Sequence, residues 1–416
     1  MNFSARRGLV VVLTAGLAAG AVGGLAAHAD TAARTHAAVR ADTRGEIVSS
    51  VRVKRMSAKQ ARAWLASDGF DARAVRYGVD AYRLVYRTVD ARKRPTTASG
   101  LLVLPRNGDR SLRTVSYTHG TMSYKKDAPS VTKDVWGPGA AVTYGGAGFA
   151  AVAPDYLGLG KGPGAHPWMH VPSETTASLD MLRAARNFAP RTGRALERQV
   201  LVTGFSQGAS AALGLARALQ EGADPWFRVR AVAPISGAYD FGGTQLPATV
   251  GGRIPAKYAV VYASYLLTSW NRTHGLYRTP DEVFRPPYAG RVEKYFDGNT
   301  PGAEMFQGLP GTLTELLTPR GQEMLRAPGG RLAEALRQDA AAVMGWTPRV
   351  PVRLYKISDD EQAVTGNTDR LAAAFRARGV RAPVIDVGDR VYEESRHLGS
   401  NLTGTALTVR WFRTLR

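Results

Sequence analysis

Hydrophobic and polar positions follow two different periods along the middle of this chain. Residues 82–90 and 98–105 alternate between apolar and polar side chains on either side of a polar turn, which predicts an antiparallel hairpin. Further on, short apolar runs alternate with segments whose apolar residues recur at helical spacing. This order predicts an α/β fold, with a mostly parallel sheet and helices on both faces. The other predicted strands are 114–119, 149–153, 199–203, 229–235, 352–357 and 384–387, and the predicted helices are 57–67, 173–188, 207–219, 367–378 and 405–415.

The alternation stops between residues 239 and 348. This stretch has helical patterns, aromatic residues and Gly/Pro turns without a convincing buried strand, and it is too long for a loop. We therefore predict a helical cap or lid at 239–348, inserted into a core formed by 75–238 and 349–416. Residues 30–74 are predicted to form a flexible N-terminus and a leading helix.

The first 29 residues have the layout of a signal peptide. Arg6 and Arg7 precede an apolar, uncharged run at 9–27, and Ala27-His28-Ala29 fits the rule for signal-peptidase cleavage. The run is also long enough for an uncleaved membrane anchor, and the paired arginines also suit twin-arginine export. Cleavage of a signal peptide predicts a secreted, extracellular protein with no integral membrane segment.

Composition narrows the possible chemistry. The 416 residues include no cysteine, which excludes disulfides, iron–sulfur clusters and a cysteine nucleophile. Lys and Arg number 55 against 34 Asp and Glu, a formal charge of +21, but they are scattered, so nucleic acid is not a predicted partner. The EF-hand, zinc-protease and P-loop signatures are absent from the sequence, and we expect neither a metal nor an organic cofactor.

A nucleophile elbow is the strongest chemical signal in the sequence. Gly204-Phe-Ser206-Gln-Gly208 matches G-x-S-x-G, a pattern that is too common to be trusted alone. Here it directly follows an apolar predicted strand and opens a predicted helix, which is the setting that the strained turn of a nucleophilic serine requires. Ser206 is therefore the predicted nucleophile.

A serine nucleophile needs an acid and a histidine base later in the chain. Of the two histidines after Ser206, His274 lies in the predicted cap, whereas His397 follows the last predicted strand. We predict a loop there that holds the imidazole over the sheet. The strand at 352–357 is followed by Asp359, Asp360 and Glu361, and composition leaves all three open as the acid.

The elbow also predicts an oxyanion hole. Its donors would be the main-chain N–H of Gln207, which follows the nucleophile, and one N–H from the loop after the strand at 114–119. We choose Thr121 as the second donor. His119, in the same loop, is predicted to be structural.

Three segments carry a family resemblance. The elbow, Ser116-Tyr-Thr-His-Gly-Thr121 and Ala153-Pro-Asp-Tyr-Leu-Gly-Leu-Gly160 resemble motifs of the secretory lipase family of α/β-hydrolases, which contains lipases of the Candida lipase A type and actinobacterial homologues. The resemblance covers residues 75–415 and is weakest in the cap. It implies an α/β-hydrolase fold, a helical lid and hydrolysis of acyl esters, including lipids at an interface.

The resemblance also implies which carboxylate is the acid. Asp360-Glu361-Gln362 followed by Asn367-Thr368 is similar to the family's acid segment, and this alignment implies Asp360 rather than Asp359. The sequence departs from the family at Ala363-Val364, where Val-Pro is usual.

Aromatic residues near the predicted site are candidates for substrate binding. Tyr156 follows a strand end, and Tyr265 and Trp270 belong to an aromatic stretch of the cap. This stretch either packs the cap or lines an acyl groove, and a groove would favour medium-chain esters over acetate.

Other functions fit parts of the sequence. A serine aminopeptidase on the same fold would need a carboxylate for the substrate amine, with Glu221, Asp240 and Glu282 as candidates. A short-chain or polysaccharide-decorating esterase would share the triad but prefer small acyl groups. A non-catalytic binding protein is expected to lack a triad member, and here all three are present.

Overall fold

Nine strands form one sheet in residues 43–415, which are the residues that the computed structural model describes. Their order across the sheet is β1-β2-β3-β5-β4-β6-β7-β8-β9. The pairs β1–β2, β2–β3 and β3–β5 are antiparallel, and every pair from β5 to β9 is parallel. This confirms the predicted α/β fold with a mostly parallel sheet. The strands are β1 (Ile47–Met56), β2 (Val79–Val89), β3 (Pro95–Pro105), β4 (Ser111–Thr118), β5 (Ala150–Pro154), β6 (Ala195–Phe205), β7 (Arg228–Ile235), β8 (Leu354–Lys356) and β9 (Val384–Asp386).

Helices cover both faces of this sheet. The α-helices are α1 (Ala58–Ala66), α2 (Trp136–Gly146), α3 (Val171–Phe188), α4 (Gln207–Gln220), α5 (Leu246–Val250), α6 (Ala256–His274), α7 (Val292–Tyr295), α8 (Gly302–Gly308), α9 (Leu313–Leu316), α10 (Pro319–Arg326), α11 (Gly330–Met344), α12 (Gly366–Arg376) and α13 (Arg396–Thr414), with a π-helix at Phe241–Gln245. Short 3₁₀ helices lie at Ala72–Ala74, Lys125–Asp127, Ala189–Thr192, Pro280–Glu282 and Tyr288–Gly290. Within residues 43–415, no helix is long and apolar enough to cross a membrane.

Two hydrophobic cores lie on opposite faces of the sheet. Val200 and Val202 of β6 pack into the core that contains α3 and α4, whereas Leu201 between them packs into the core that contains α2 and α13. Successive side chains of a strand point to opposite faces, so a strand covered on both faces is apolar at consecutive positions. This explains why the central strands read as continuous apolar runs.

The N-terminal strand β1 is absent from the sequence prediction. Residues 30–74 were expected to be a flexible terminus and a helix, but Ile47–Met56 pairs with β2 at the edge of the sheet. Val48, Val51 and Val53 of this strand are 52%, 45% and 39% exposed. Backbone hydrogen bonds to β2 hold this strand in place. Most of its side chains are exposed, so the sequence shows no alternation that would have predicted a strand. The predictions for residues 1–42, including the signal peptide, lie outside the described residues.

The chain between β7 and β8 forms helices that pack around their own core. This core includes Leu266 and Trp270 of α6 and Leu336 of α11, and it also takes in Trp168 from the loop before α3. We call residues 239–348 the helical insertion. Tyr265 of α6 donates a 2.9 Å hydrogen bond to the carbonyl oxygen of Met122, which follows β4, so the insertion packs beside the carboxyl end of this strand.

Candidate active site

Ser206 stands at a sharp turn between β6 and α4. Its backbone has φ 56° and ψ −122°, a conformation that non-glycine residues rarely adopt and that stores strain. A Cβ on Gly204 would overlap Thr118 Oγ1 and the carbonyl of Gly208, and a Cβ on Gly208 would overlap the carbonyl of Thr118. The two glycines therefore let the turn pass close to β4, which is the physical basis of the G-x-S-x-G pattern.

The structure brings Ser206, His397 and Asp360 together. His397 Nε2 lies 2.8 Å from Ser206 Oγ, and His397 Nδ1 lies 2.9 Å from Asp360 Oδ2. Both His397 and Asp360 are buried, at 2% and 7% exposure. A carboxylate on Nδ1 fixes the tautomer that leaves Nε2 free to accept the serine proton.

His397 lies in the first turn of a helix and not in the predicted loop. Helix α13 starts at Arg396, nine residues before the predicted start at 405, and Ser395 caps it by accepting a hydrogen bond from the main-chain N–H of Leu398. Residues 396–404 are rich in Gly, Ser, Asn and Thr, which are weak helix formers. Burial against the sheet stabilises this turn, and composition alone does not reveal it.

The three carboxylates after β8 have different surroundings. Asp360 Oδ1 accepts hydrogen bonds from the main-chain N–H groups of Gln362 and Ala363, at 3.0 and 2.8 Å. Asp359 is exposed and has φ 57°. Glu361 accepts a 3.2 Å hydrogen bond from the main-chain N–H of His397 and also contacts Ser395 Oγ. Glu361 thus supports the helix end that carries His397, a role that the sequence did not indicate.

The two residues predicted to supply oxyanion donors line a cavity together with Ser206. Thr121 follows β4, and its Oγ1 accepts a 2.9 Å hydrogen bond from Trp168 Nε1. Gln207 is the first residue of α4, where main-chain N–H groups have no partner within the helix and where the helix dipole favours negative charge. The Gln207 amide can therefore serve an anion next to Ser206, and Thr121 lines the same small cavity as Gln207.

A buried polar cluster that sequence reasoning missed includes Gln207, the residue after Ser206. Gln207 Nε2 donates to Glu174 Oε1 at 2.6 Å and to His166 Nε2 at 2.7 Å, while His166 Nδ1 donates to the carbonyl of Leu157 at 3.0 Å. Burial raises the pKa of Glu174 to about 8 and lowers the pKa of His166 to about 3. Both groups are therefore neutral at neutral pH and hold the Gln207 side chain.

His119 and Asp155 have structural surroundings. His119 Nδ1 lies 2.7 Å from the carbonyl of Gly120, and burial lowers the pKa of this imidazole to about 4. Asp155 is fully buried and accepts hydrogen bonds from Ser99 Oγ at 2.5 Å and from the main-chain N–H of Ser130 at 2.9 Å. The Asp155 carboxylate therefore ties β3 to the loop at 128–131.

Ser206 lies between two cavities of different size. The larger has a volume of about 410 Å³ and is lined by His397 and Trp136 on the sheet side and by Tyr258, Tyr262 and Phe306 on the insertion side. The smaller has a volume of about 20 Å³ and is lined mainly by Trp168, Met169, Gln207, Ala238, Phe241 and Thr249. Thr121 and Tyr262 line both cavities.

The aromatic residues proposed as substrate contacts have different positions. Tyr265 lines the large cavity, but its hydroxyl is occupied by the Met122 carbonyl. Trp270 is 1% exposed, donates a 2.8 Å hydrogen bond from Nε1 to the carbonyl of Trp168, and lines neither cavity. Tyr156 is fully buried and donates a 3.1 Å hydrogen bond to the carbonyl of His119. Tyr156 and Trp270 are therefore packing residues, which corrects their prediction as substrate contacts.

The carboxylates considered for an aminopeptidase lie elsewhere. Glu221 pairs with Arg217 at 2.8 Å, Asp240 lies 3.6 Å from Arg370, and Glu282 pairs with Arg320 at 2.7 Å. None of the three lines either cavity beside Ser206. Within residues 43–415, no group of three or more His, Asp or Glu side chains could hold a metal ion.

Solved structures resemble this chain, although no protein-family model and no curated protein matches its sequence significantly. A candidate hydrolase from Legionella pneumophila is 24% identical, covering 89% of this chain and 98% of its own, with a TM-score of 0.79. The rice cell wall degrading esterase LipA from Xanthomonas oryzae is 25% identical, covering 90% and 100%, with a TM-score of 0.75. Candida antarctica lipase A in its closed state is 15% identical, covering 89% and 82%, with a TM-score of 0.61.

These neighbours confirm the predicted α/β-hydrolase fold. They include lipase A itself, so the resemblance deduced from the motifs holds at the level of the fold. An esterase and a lipase share this architecture, which supports the predicted enzyme class, a carboxylic ester hydrolase.

Proposed function

We propose that this chain hydrolyses carboxylic esters through an acyl-enzyme formed on Ser206. One observation carries the proposal: Ser206 Oγ, His397 and Asp360 are linked by hydrogen bonds of 2.8 and 2.9 Å beside a cavity of about 410 Å³. The order nucleophile, acid, base along the chain is that of α/β-hydrolases.

In the first half-reaction, Ser206 Oγ attacks the ester carbonyl carbon while His397 Nε2 accepts the serine proton. Asp360 stabilises the imidazolium that forms and keeps its orientation. The amides of Thr121 and Gln207 donate to the oxyanion, and the strained elbow keeps Ser206 Oγ in line with them. His397 then gives its proton to the leaving alcohol.

In the second half-reaction, a water molecule takes the place of the alcohol. His397 removes a proton from this water, the resulting hydroxide attacks the acyl carbon, and Ser206 leaves with the proton restored. The same residues serve both halves.

We also propose, from the sequence, that the protein is secreted and that its substrate is a lipid. The basic, apolar and small-residue segments of residues 6–29 support export, followed by cleavage to an extracellular enzyme. Contact with a lipid interface is expected if acyl lipids are the substrate. The neighbours include both a lipase and an esterase that degrades rice cell walls, so they leave the choice of ester open.

The test combines substrate hydrolysis with labelling. The purified chain should cleave p-nitrophenyl esters and should be labelled by a fluorophosphonate on Ser206, located by mass spectrometry of peptides. Ser206→Ala is the labelling control. Cleavage of aminoacyl p-nitroanilides without cleavage of esters would instead support the aminopeptidase.

A further inference from the structure

The two cavities at Ser206 meet different catalytic groups. His397 lines the large cavity and is not among the residues that line the small one. Gln207 lines the small cavity, and Thr121 lines both. His397 therefore borders only the large cavity and Gln207 only the small one, while Thr121 lies where the two cavities meet Ser206.

This asymmetry orients an ester. The leaving oxygen must lie within reach of His397 Nε2, because that nitrogen supplies its proton. The carbonyl oxygen points to the amides of Thr121 and Gln207. The remaining substituent of the carbonyl carbon is the hydrocarbon chain of the acyl group, and it must project away from His397.

We propose, building on the proposed function, that the acyl group enters the small cavity and the alcohol occupies the large one. The enzyme is then specific for short acyl groups, acetyl above all, on bulky alcohols. This is the opposite of the medium-chain preference that an acyl groove along the aromatic stretch of the cap, residues 258–270, would give.

The size of the small cavity sets the limit on the acyl group. One water-sized sphere requires roughly 10–15 Å³, and the cavity has about 20 Å³, so it accepts a methyl group and little more. Its walls are packed: Trp168 contacts Phe241 edge to face at 5.9 Å, and Thr249 is 3% exposed. A longer acyl chain must displace these side chains, because packed interiors have few spare voids.

The large cavity suits the alcohol. Its volume of about 410 Å³ falls in the range of pockets that bind small organic molecules. Tyr258 and Phe306 form part of its wall, and Phe306 is 38% exposed, so this side opens toward solvent. An alcohol of the size of naphthol fits there without rearrangement of the core.

The first experiment measures kcat/KM for p-nitrophenyl acetate, butyrate, hexanoate and octanoate, which differ only in the acyl group. We expect a decrease of at least about tenfold from acetate to octanoate. Acetates of ethanol and 2-(2-naphthyl)ethanol, which release alcohols of similar acidity, test the alcohol side by pH-stat titration, and the naphthyl-bearing ester should be preferred.

Two variants enlarge the small cavity, and a third variant, in the large cavity, serves as a matched control. Phe241→Ala should raise the octanoate-to-acetate ratio by about tenfold or more. Thr249→Ala removes fewer atoms and should raise the same ratio by a smaller factor, which protects the test against misfolding of the first variant. Phe306→Ala removes the same phenyl group from the large cavity and should leave the acyl ratio within about twofold.

The outcomes separate the two levels of the argument. If wild type cleaves octanoate as fast as acetate, or if Phe306→Ala changes the acyl ratio as much as Phe241→Ala does, the assignment of the cavities is wrong while ester hydrolysis stands. If wild type cleaves no ester and Ser206 takes no fluorophosphonate, the proposed function itself is overturned.

Discussion

The carboxyl end of the sheet and the helical insertion face each other across the large cavity. They contribute different kinds of side chain to the candidate site. On the sheet side, Ser206, His397 and Asp360 are held by hydrogen bonds at the ends of regular elements. On the insertion side the wall is aromatic, and it includes Tyr258 and Phe306. It follows that the carboxyl end of the sheet fixes the positions of the proposed reacting atoms, whereas the insertion shapes the cavity. Substitutions on the two sides should therefore affect activity and stability differently.

The largest effect is expected at the nucleophile. Ser206→Ala removes the atom that forms the acyl-enzyme, so kcat/KM for p-nitrophenyl acetate should fall by about five orders of magnitude. Circular dichroism should show an unchanged fold, since the alanine removes only a hydroxyl. Retention of even a tenth of the activity would show that another group attacks the ester.

The second effect concerns the acid. Asp360→Asn removes the charge that faces His397, and we expect a loss of about three to four orders of magnitude in kcat. Asp359→Asn is the matched control, because Asp359 is exposed one position away and should retain nearly full activity. Equal losses in the two variants would contradict the assignment of Asp360.

The sheet side could largely be predicted from the sequence, and the reason is physical. A nucleophile elbow is local: the strand, the two glycines and the helix that hold Ser206 are consecutive in the chain. The α/β alternation also indicates which later strand ends lie beside this elbow. The sequence therefore located the acid after one of these strands and His397 after the last one. The helical start at Arg396 was missed, because tertiary burial there outweighs weak local propensity.

The insertion could be predicted only as a helical segment. Which face of α6 meets the cavity and which is buried depends on helices that are distant in the sequence. Tyr265 and Trp270 are both 1% exposed, but only Tyr265 lines the cavity, although the two residues looked equivalent in the sequence. The buried cluster of Glu174, His166 and Gln207 was missed for the same reason, since its members lie on separate segments.

The third prediction tests whether Trp270 is a packing residue. Trp270→Ala should lower the free energy of unfolding by about 3–5 kcal/mol, because it empties a buried site and removes a hydrogen bond to Trp168. Phe306 lines the large cavity and is partly exposed, so Phe306→Ala should lower the free energy of unfolding by about 1 kcal/mol or less. Urea unfolding followed by fluorescence measures both. A stable Trp270→Ala variant with altered ester preference would restore Trp270 as a substrate contact.

The smallest effect is expected at Glu174, in the buried polar cluster that includes Gln207. Burial raises the pKa of Glu174 from 4.5 to about 8, so the folded chain keeps a proton that the unfolded chain releases above about pH 4.5. The unfolded state then binds fewer protons between about pH 4.5 and 8, and stability decreases as the pH rises through this window. Asp339 of the insertion adds to the same trend, because burial and the neighbouring Glu174 raise its pKa.

Glu174→Gln removes this dependence while keeping an acceptor for the Gln207 amide. The melting temperature of the variant relative to wild type should rise by several degrees between pH 5 and pH 8. Comparison at each pH also cancels the opposite contribution of buried His119 and His166, whose lowered pKa values reduce stability below about pH 6.5. Glu323→Gln, at an exposed position, is the control and should show no such trend. A difference in melting temperature that stays constant from pH 5 to pH 8 would mean that Glu174 has the same proton affinity in the folded and unfolded chain.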